Sequence, residues 1–448
     1  MWISPSVLNR LFFVWSFTMF TTRLSSIVIS RVMALITVLI TIYANPLFGS
    51  ALTLDQAIIN VLERSPMIKA ADYESQAAAA RIRTATQSTR YSGSIELENF
   101  AGSGFFSGTD ALETTLSLSK VLELGDKAKL RGDLSHNKAM LLRNDQDSQR
   151  LDLLAETTKR FIEAVTDQQR LLNAEESIVI AKRSLWVVKK RVNAGKSANA
   201  ELRRAKIALA RSELELEHAE HELETAHLKL ATMWGEVLNK ESKSSFTKAA
   251  ANLFAIKQAE PFDTLVTLLE RNPDLVRFAT EKRLAQSRTL LARSKGQADM
   301  EITGGLRHFN ITDDTALVLS LNIPFGSSSR ASSSIKEAEL KALSDPLLYE
   351  QQYLTLYAIL FELHQEIKHA IGAVTALRKT IIPQAEQALK DYEKGYSAGR
   401  YSFLELTEAQ KLLIDLKLEA VNTASDYHRY QIEIDRLTGA GLSVGAAQ

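Results

Sequence analysis

Two stretches of this 448-residue chain carry apolar or small residues at alternating steps of three and four. Leu202, Ala205, Leu209, Ser212, Leu216, Ala219, Leu223, Ala226, Leu230 and Met233 form one series; Leu406, Ala409, Leu413, Leu416, Ala420, Thr423, Tyr427, Tyr430, Ile434 and Leu437 form the other. A mean step of about 3.5 predicts helices packed as left-handed coiled coils. Each series follows a glycine-centred stretch, "VNAGKSANAELRRA" from Val192 and "YSAGRYSFLELTEA" from Tyr396, and the two match at one constant offset. Upstream of each lies a proline-poor stretch, 127–192 and about 335–396. At about 1.5 Å per residue, each predicts a helix on the order of 100 Å long. In the first, Gly132 is the one weak point, and Leu151, Leu154, Phe161, Val165, Leu172, Val179 and Trp186 form the expected seam. In the second, Pro346 and Pro383 are expected to kink the helix. Gly195 and Gly399 permit a tight reversal, so each glycine stretch is the tip of a long helical hairpin.

Elsewhere the period drops to two. "LETTLSLSKV" from Leu112 and "TALVLSLNI" from Thr315 alternate as strands with one apolar face. Shorter candidates precede them, "SIELENF" at Ser94 and "EITGGLRHF" at Glu301, giving β-hairpins at 94–121 and 301–323. Before each hairpin stands a helix-like stretch, 53–87 and 262–294, opened by Asp55 and Asp263 and containing "VLERSP" or "LLERNP". The same order therefore occurs twice. It divides the chain into a leader (1–51), a first repeat (52–235, tip 193–201), a linker (236–261), a second repeat (262–439, tip 397–405) and a tail (440–448). The fold class is mainly α with a small β part, and two hairpins cannot cover their own edges.

Charge and composition narrow the function. With 54 basic and 53 acidic residues, net +1, there is no general electrostatic reason to expect nucleic acid as a partner. Cysteine is absent, which excludes disulfides, thiolate metal sites and cysteine nucleophiles. The first 51 residues lack any acidic group, and Arg10, Arg23 and Arg31 precede an apolar run, the order of a secretory signal. A mature start near Leu52 is expected; an uncleaved anchor or initiation at Met33 are the alternatives. His218 and His221 share a helix with Glu217, Glu220 and Glu222, near His227, a pattern that reads as a solvated charged face more than as a metal site. His364 and His369 do not share a face. No nucleophile–base pair or phosphate-binding loop stands out, so neither enzyme activity nor a cofactor is expected.

A secreted chain with paired hairpins and very long coiled coils suits the wall of a conduit, since membrane strands must close into a barrel and four strands are too few for one chain. The alternative is a secreted or membrane-anchored coiled-coil scaffold without a conduit. The duplicated order, "LERSP" and "LERNP", "VLELGDKAKLR" after the first strand pair and the two glycine tips together resemble the outer membrane efflux (TolC-like) family, and most its cobalt-zinc-cadmium resistance branch. The resemblance implies a homotrimer in the outer membrane, with a 12-stranded barrel set in lipid and a periplasmic α-helical tunnel. It also implies a periplasmic adaptor at the tips, an inner-membrane pump of the RND type, and export of heavy-metal cations. Lys196 and Ser197 beside Gly195, and Arg400 and Ser402 beside Gly399, stand where adaptor-contacting tips lie. Glu405 and Glu408 stand where the family's second tip carries paired aspartates, implying a pore gate; Glu201, followed by Arg203 and Arg204, is their counterpart in the first tip. Many relatives carry a lipid-bearing cysteine after the signal; this chain, having no cysteine, is expected to lack that anchor.

Overall fold

A computed structural model describes residues 50–236 and 246–439; the leader, part of the linker and the tail lie outside the described residues. The first copy begins with β1 (Ser50–Leu52), α1 (Leu54–Arg64) and α2 (Pro66–Ala85). Strands β2 (Tyr91–Glu98) and β3 (Glu113–Leu122) follow, then α3 (Lys127–Asn193) and its return helix α4 (Asn199–Thr232). Strand β4 (Phe246–Ala249) pairs with β1 and leads into the second copy. That copy consists of α5 (Phe262–Leu269), α6 (Pro273–Ser294), β5 (Met300–Phe309), β6 (Asp314–Asn322), α7 (Ser327–Ala376), α8 (Ile382–Ser397) and α9 (Phe403–Thr438).

Each helix-like stretch ahead of a hairpin is two helices, not one. Pro66 and Pro273 each occupy the first turn of the second helix, where the missing N–H has no partner to lose. "LERSP" and "LERNP" are thus helix junctions. Gly132 does not weaken α3; it lies buried within the helix, where an added Cβ would sit 2.6 Å from Thr86 Cγ2. The second long helix begins earlier than expected, at Ser327, and runs through Pro346 without a break. The irregularity comes instead at Leu377–Ile381, a π-helical turn just before Pro383, which has no backbone N–H to donate to the helix.

The two return-helix series hold along their whole length: every member is buried or half-buried. The outward seam holds only in its upper half. Leu151, Leu154, Phe161 and Val165 are buried, but Leu172, Val179 and Trp186 are 55%, 63% and 64% exposed. An α-helix drifts by about 20° per strict seven-residue step. In addition, the lower part of α3 must face both α4 and α9, so burial passes to Ala174, Ile178, Ala181 and Val188.

The four long strands form one antiparallel sheet in the order β2-β3-β5-β6. Register aligns Ile95, Leu116, Leu306 and Leu317 in one row, and Leu118 with Leu319 across Gly304 in the next. This face is apolar and exposed; Leu317 is 80% accessible. The opposite face carries Ser94, Ser117, Thr115 and Arg307, with Arg307 bound to Glu98 at 2.9 Å and Glu113 at 3.0 Å. A sheet with one exposed apolar face and one polar face suits a barrel wall with lipid on the first and water on the second. Among the described residues no helix is long and apolar enough to cross a membrane. Packing also sets four helices in a row, α2-α3-α6-α7, matching the strand order.

Gly304 and Gly305 test the two sides of the wall. A Cβ at Gly305 would lie 2.7 Å from the Leu116 carbonyl, whereas nothing stands within 4 Å of one at Gly304. Gly305→Val is expected to cost about 1–3 kcal/mol through overpacking, and Gly304→Val to be tolerated, as read by urea unfolding in detergent. Equal effects would contradict the sheet register.

Candidate functional site: the paired hairpin tips

Both tips end their helices the same way. Lys196 N–H donates to Arg191 O (2.9 Å) and Gly195 N–H to Val192 O (2.9 Å); in the second copy Arg400 N–H donates to Gly395 O (2.8 Å) and Gly399 N–H to Tyr396 O (3.0 Å). These are Schellman turns, and they require a left-handed residue at the reversal. Gly195 (φ 68°) and Gly399 (φ 78°) supply it. Lys196 and Arg400 are exposed at the apex.

The copies then diverge so that one tip fits the other. Arg191, in the last turn of α3, reaches across to the end of α8: its Nη1 donates to Tyr396 O (2.7 Å) and Ser397 O (3.1 Å). Its Nε donates to Ser197 Oγ (3.1 Å) and its Nη2 to Lys196 O (3.2 Å), and the guanidinium lies 4.8 Å from the Tyr396 ring centre. One planar cation thus satisfies carbonyls at the ends of two helices. The second copy has Gly395 at the matching position, and there the Tyr401 ring fills the space: an added Cβ would sit 2.1 Å from it. Tyr396 is buried in a cluster with Val188, Ala205, Leu389, Phe403 and Leu406. Burial pushes its phenol pKa up, which keeps the hydroxyl a donor.

The carboxylates part company for a local reason. Ser402 caps α9, and Glu405 closes the capping box, accepting from Ser402 N–H at 2.7 Å. That N–H and the Ser402 hydroxyl hold the Glu405 carboxyl below the usual range. The first copy has Ala198 at the capping position and no side-chain cap. Its carboxylate, Glu201, is therefore free for another donor and accepts the Tyr396 hydroxyl at 2.7 Å. Glu408 is exposed one turn beyond Glu405, and Arg203 and Arg204 are exposed on α4. Within the chain Glu201, Ser197 and Tyr396 come together; Glu405, Ser402 and Glu408 do not join them. Arg191 and Tyr396 were missed by sequence reasoning. The signal was available in the positions where the two copies differ beside an otherwise matching glycine.

Above the tips, Lys417 of α9 bridges Glu176 of α3 (2.7 Å) and Glu386 of α8 (3.0 Å). Burial disfavours its charge, but the two carboxylates outweigh that and raise its pKa. The histidines do not assemble. His221 is exposed 3.9 Å from Glu217, His218 lines a cavity with Asp167 and Glu222, and His227 is buried against Phe246. Burial pushes the His227 pKa down and the Asp167 pKa up. No three His, Cys, Asp or Glu side chains are placed to hold a metal ion among the described residues.

The family model described as outer membrane efflux protein matches residues 57–236 and 264–440. The chain belongs to the outer membrane efflux protein family. It is 24% identical over 326 residues to the cobalt-zinc-cadmium resistance protein CzcC of Cupriavidus metallidurans, covering 73% of this chain and 77% of that one. Its fold is similar to that of CusC, with a TM-score of 0.71 at 15% identity, covering 87% of this chain and 93% of the other. It is also similar to the outer membrane protein VceC of Vibrio cholerae, with a TM-score of 0.70 at 15% identity, covering 86% and 96%. This efflux protein is therefore a channel component of the outer membrane and not an enzyme, and the scaffold alternative falls.

The Arg191 clamp gives a direct test. Arg191→Ala is expected to weaken the contact between the tips by about 2–3 kcal/mol, seen as faster hydrogen exchange at residues 396–400. Arg191→Lys, a point charge without the fork, should restore only part of the protection. Unchanged exchange in Arg191→Ala would rule out the clamp.

Proposed function

We propose that three copies of this chain close head to tail into an exit duct, and that the duct conducts heavy-metal cations delivered by an inner-membrane RND pump through a periplasmic adaptor. The observation that carries the closure is that the sheet and the helix row are open at corresponding ends. α2 feeds the edge strand β2 and α7 leaves the edge strand β6, so an edge pairing between copies also brings α7 beside α2. The strands alternate in direction across the sheet, so β6 of one copy suits β2 of the next in antiparallel pairing. On α7, Leu340, Leu343, Leu347, Leu354, Tyr357 and Phe361 form a second seam at steps of three, four and, between Leu347 and Leu354, seven, each 39–69% exposed. On α2, Ala70, Tyr73, Ala77, Ala80 and Thr84 present an exposed, mostly small-residue stripe at steps of three and four. Large residues facing small ones are the complement that close helix packing needs. About eight strands would leave an interior filled by side chains, whereas twelve leave an aqueous lumen.

The cargo reading rests on the likeness to a cobalt-zinc-cadmium resistance protein. For docking, the support is a groove near the tips between α3, α4 and α9, lined by Ala181, Ala205, Ala208 and Phe403. Ser184 Oγ and Gln410 Nε2 are buried beside it without partners among the described residues, and unpaired buried polar groups favour an incoming partner. The apex residues Gly195, Lys196, Ser197, Gly399, Arg400 and Ser402 are the adaptor-facing set. Glu405 and Glu408 would form threefold acidic rings at the tunnel mouth, with Glu201 bound to Tyr396 holding the hairpins closed.

Three outcomes follow. Native mass measurement in detergent should give a trimer, and Leu343→Glu with Leu347→Glu should give monomers, each buried leucine contributing about 1.5–3 kcal/mol; a monomeric wild-type protein would refute the closure. In planar bilayers, Glu405→Gln with Glu408→Gln should weaken cation preference and block by multivalent cations; an unchanged reversal potential and block would reject the gate. Deletion of the gene should raise sensitivity to cobalt, zinc or cadmium, and unaltered tolerance of all three would reject the cargo.

A further inference from the structure

The loop between β2 and β3 is unlike a solvated turn. Residues 99–112 read "NFAGSGFFSGTDAL", with Asp110 the only charged side chain. Phe100, Phe105 and Phe106 are 47%, 68% and 44% exposed, and the last two rings pack edge to face at 5.4 Å. The backbone is built to hold them there. Ala101 N–H donates to Gly108 O and Gly102 N–H to Phe106 O, both at 2.9 Å, and Ser107 N–H donates to Gly104 O at 3.1 Å. Asn99 and Ala101 accept left-handed φ values of 60° and 55°, a strain that non-glycine residues rarely bear. Asn310, in the turn of the second hairpin, ties the loop down: its Nδ2 donates to Thr109 O at 3.0 Å and its N–H to Leu112 O at 2.9 Å. The same turn exposes Ile311 at 55%.

We propose that Phe100, Phe105 and Phe106 form an aromatic anchor that enters the outer interface of the membrane. The inference rests on the barrel reading and adds a lipid contact outside the strands. Strands of eight and ten residues, rising about 3.4 Å per residue at a tilt of about 40°, cover roughly the ~25 Å apolar band of a barrel. The loop therefore starts at the level of the headgroups, where aromatic rings are favoured. On the apolar face the residue before the loop is Leu97; on the polar face stand Glu98, Glu113 and Arg307. Phenylalanine finds an apolar neighbour only on the lipid side.

The absence of cysteine permits a clean test. Phe105→Cys and, as a barrel control, Leu317→Cys are each labelled with an environment-sensitive fluorophore and reconstituted in phosphatidylcholine vesicles. Quenching of both labels by nitroxide lipids, with little quenching by iodide, is the expected result. If the Leu317→Cys label is quenched by lipid while the Phe105→Cys label responds only to iodide, the anchor is refuted and the barrel stands. If unlabelled Phe105→Cys oxidises to covalent dimers, the loops meet across the mouth and the anchor is again refuted. If neither label meets lipid, the barrel reading fails and the anchor with it.

Discussion

A backbone N–H or C=O at a sheet edge has no water to turn to in hydrocarbon, and the rest of this structure follows from that. The four-stranded sheet exposes a face of leucines and isoleucines yet ends in two edge strands, β2 and β6. Such a sheet is stable in a membrane only when closed. Closure by copies of one chain demands that everything attached to the edges also repeat around the ring. The helix row in strand order, the seam on α7 and the small stripe on α2 are the features that support the proposed closure.

Duplication supplies the architecture, and divergence between the duplicates supplies the fastening. Both tips reverse by the same turn around Gly195 and Gly399. The fastening is one-sided: Arg191 offers a fork, while its counterpart Gly395 leaves room for the Tyr401 ring. Arg191 in one and Gly395 in the other make the tips complementary, and the change from Ser402 to Ala198 frees Glu201 for Tyr396. A capping serine and a bridging carboxylate are alternatives at that position, because one carboxylate cannot serve the helix start and a distant phenol equally well.

Much of the fold was legible because coiled coils and lipid-facing strands write their packing as periodicity. The return helices and both hairpins could be read from spacing alone. Periodicity fails where a helix has more than one partner: Leu172, Val179 and Trp186 continue the seven-residue step but face away from the core, since the lower α3 divides its contacts between α4 and α9. It fails also at backbone irregularities, as at Pro66, Pro273 and the π turn before Pro383. The tip glycines were legible from the repeat; Arg191 and Tyr396 leave no periodic pattern, because their contacts join residues about 200 positions apart, and show in the sequence only as differences between the copies, such as Arg191 against Gly395.

If the duct closes as proposed, β2 and β6 are not edges in the assembled protein. Hydrogen–deuterium exchange in detergent micelles tests this directly. Amides of residues 91–98 and 314–322 are expected to be protected to the same degree as those of the interior strands β3 and β5. Rapid exchange confined to the outward-directed amides of β2 and β6, with β3 and β5 protected, would mean that the sheet stays open and would contradict the account.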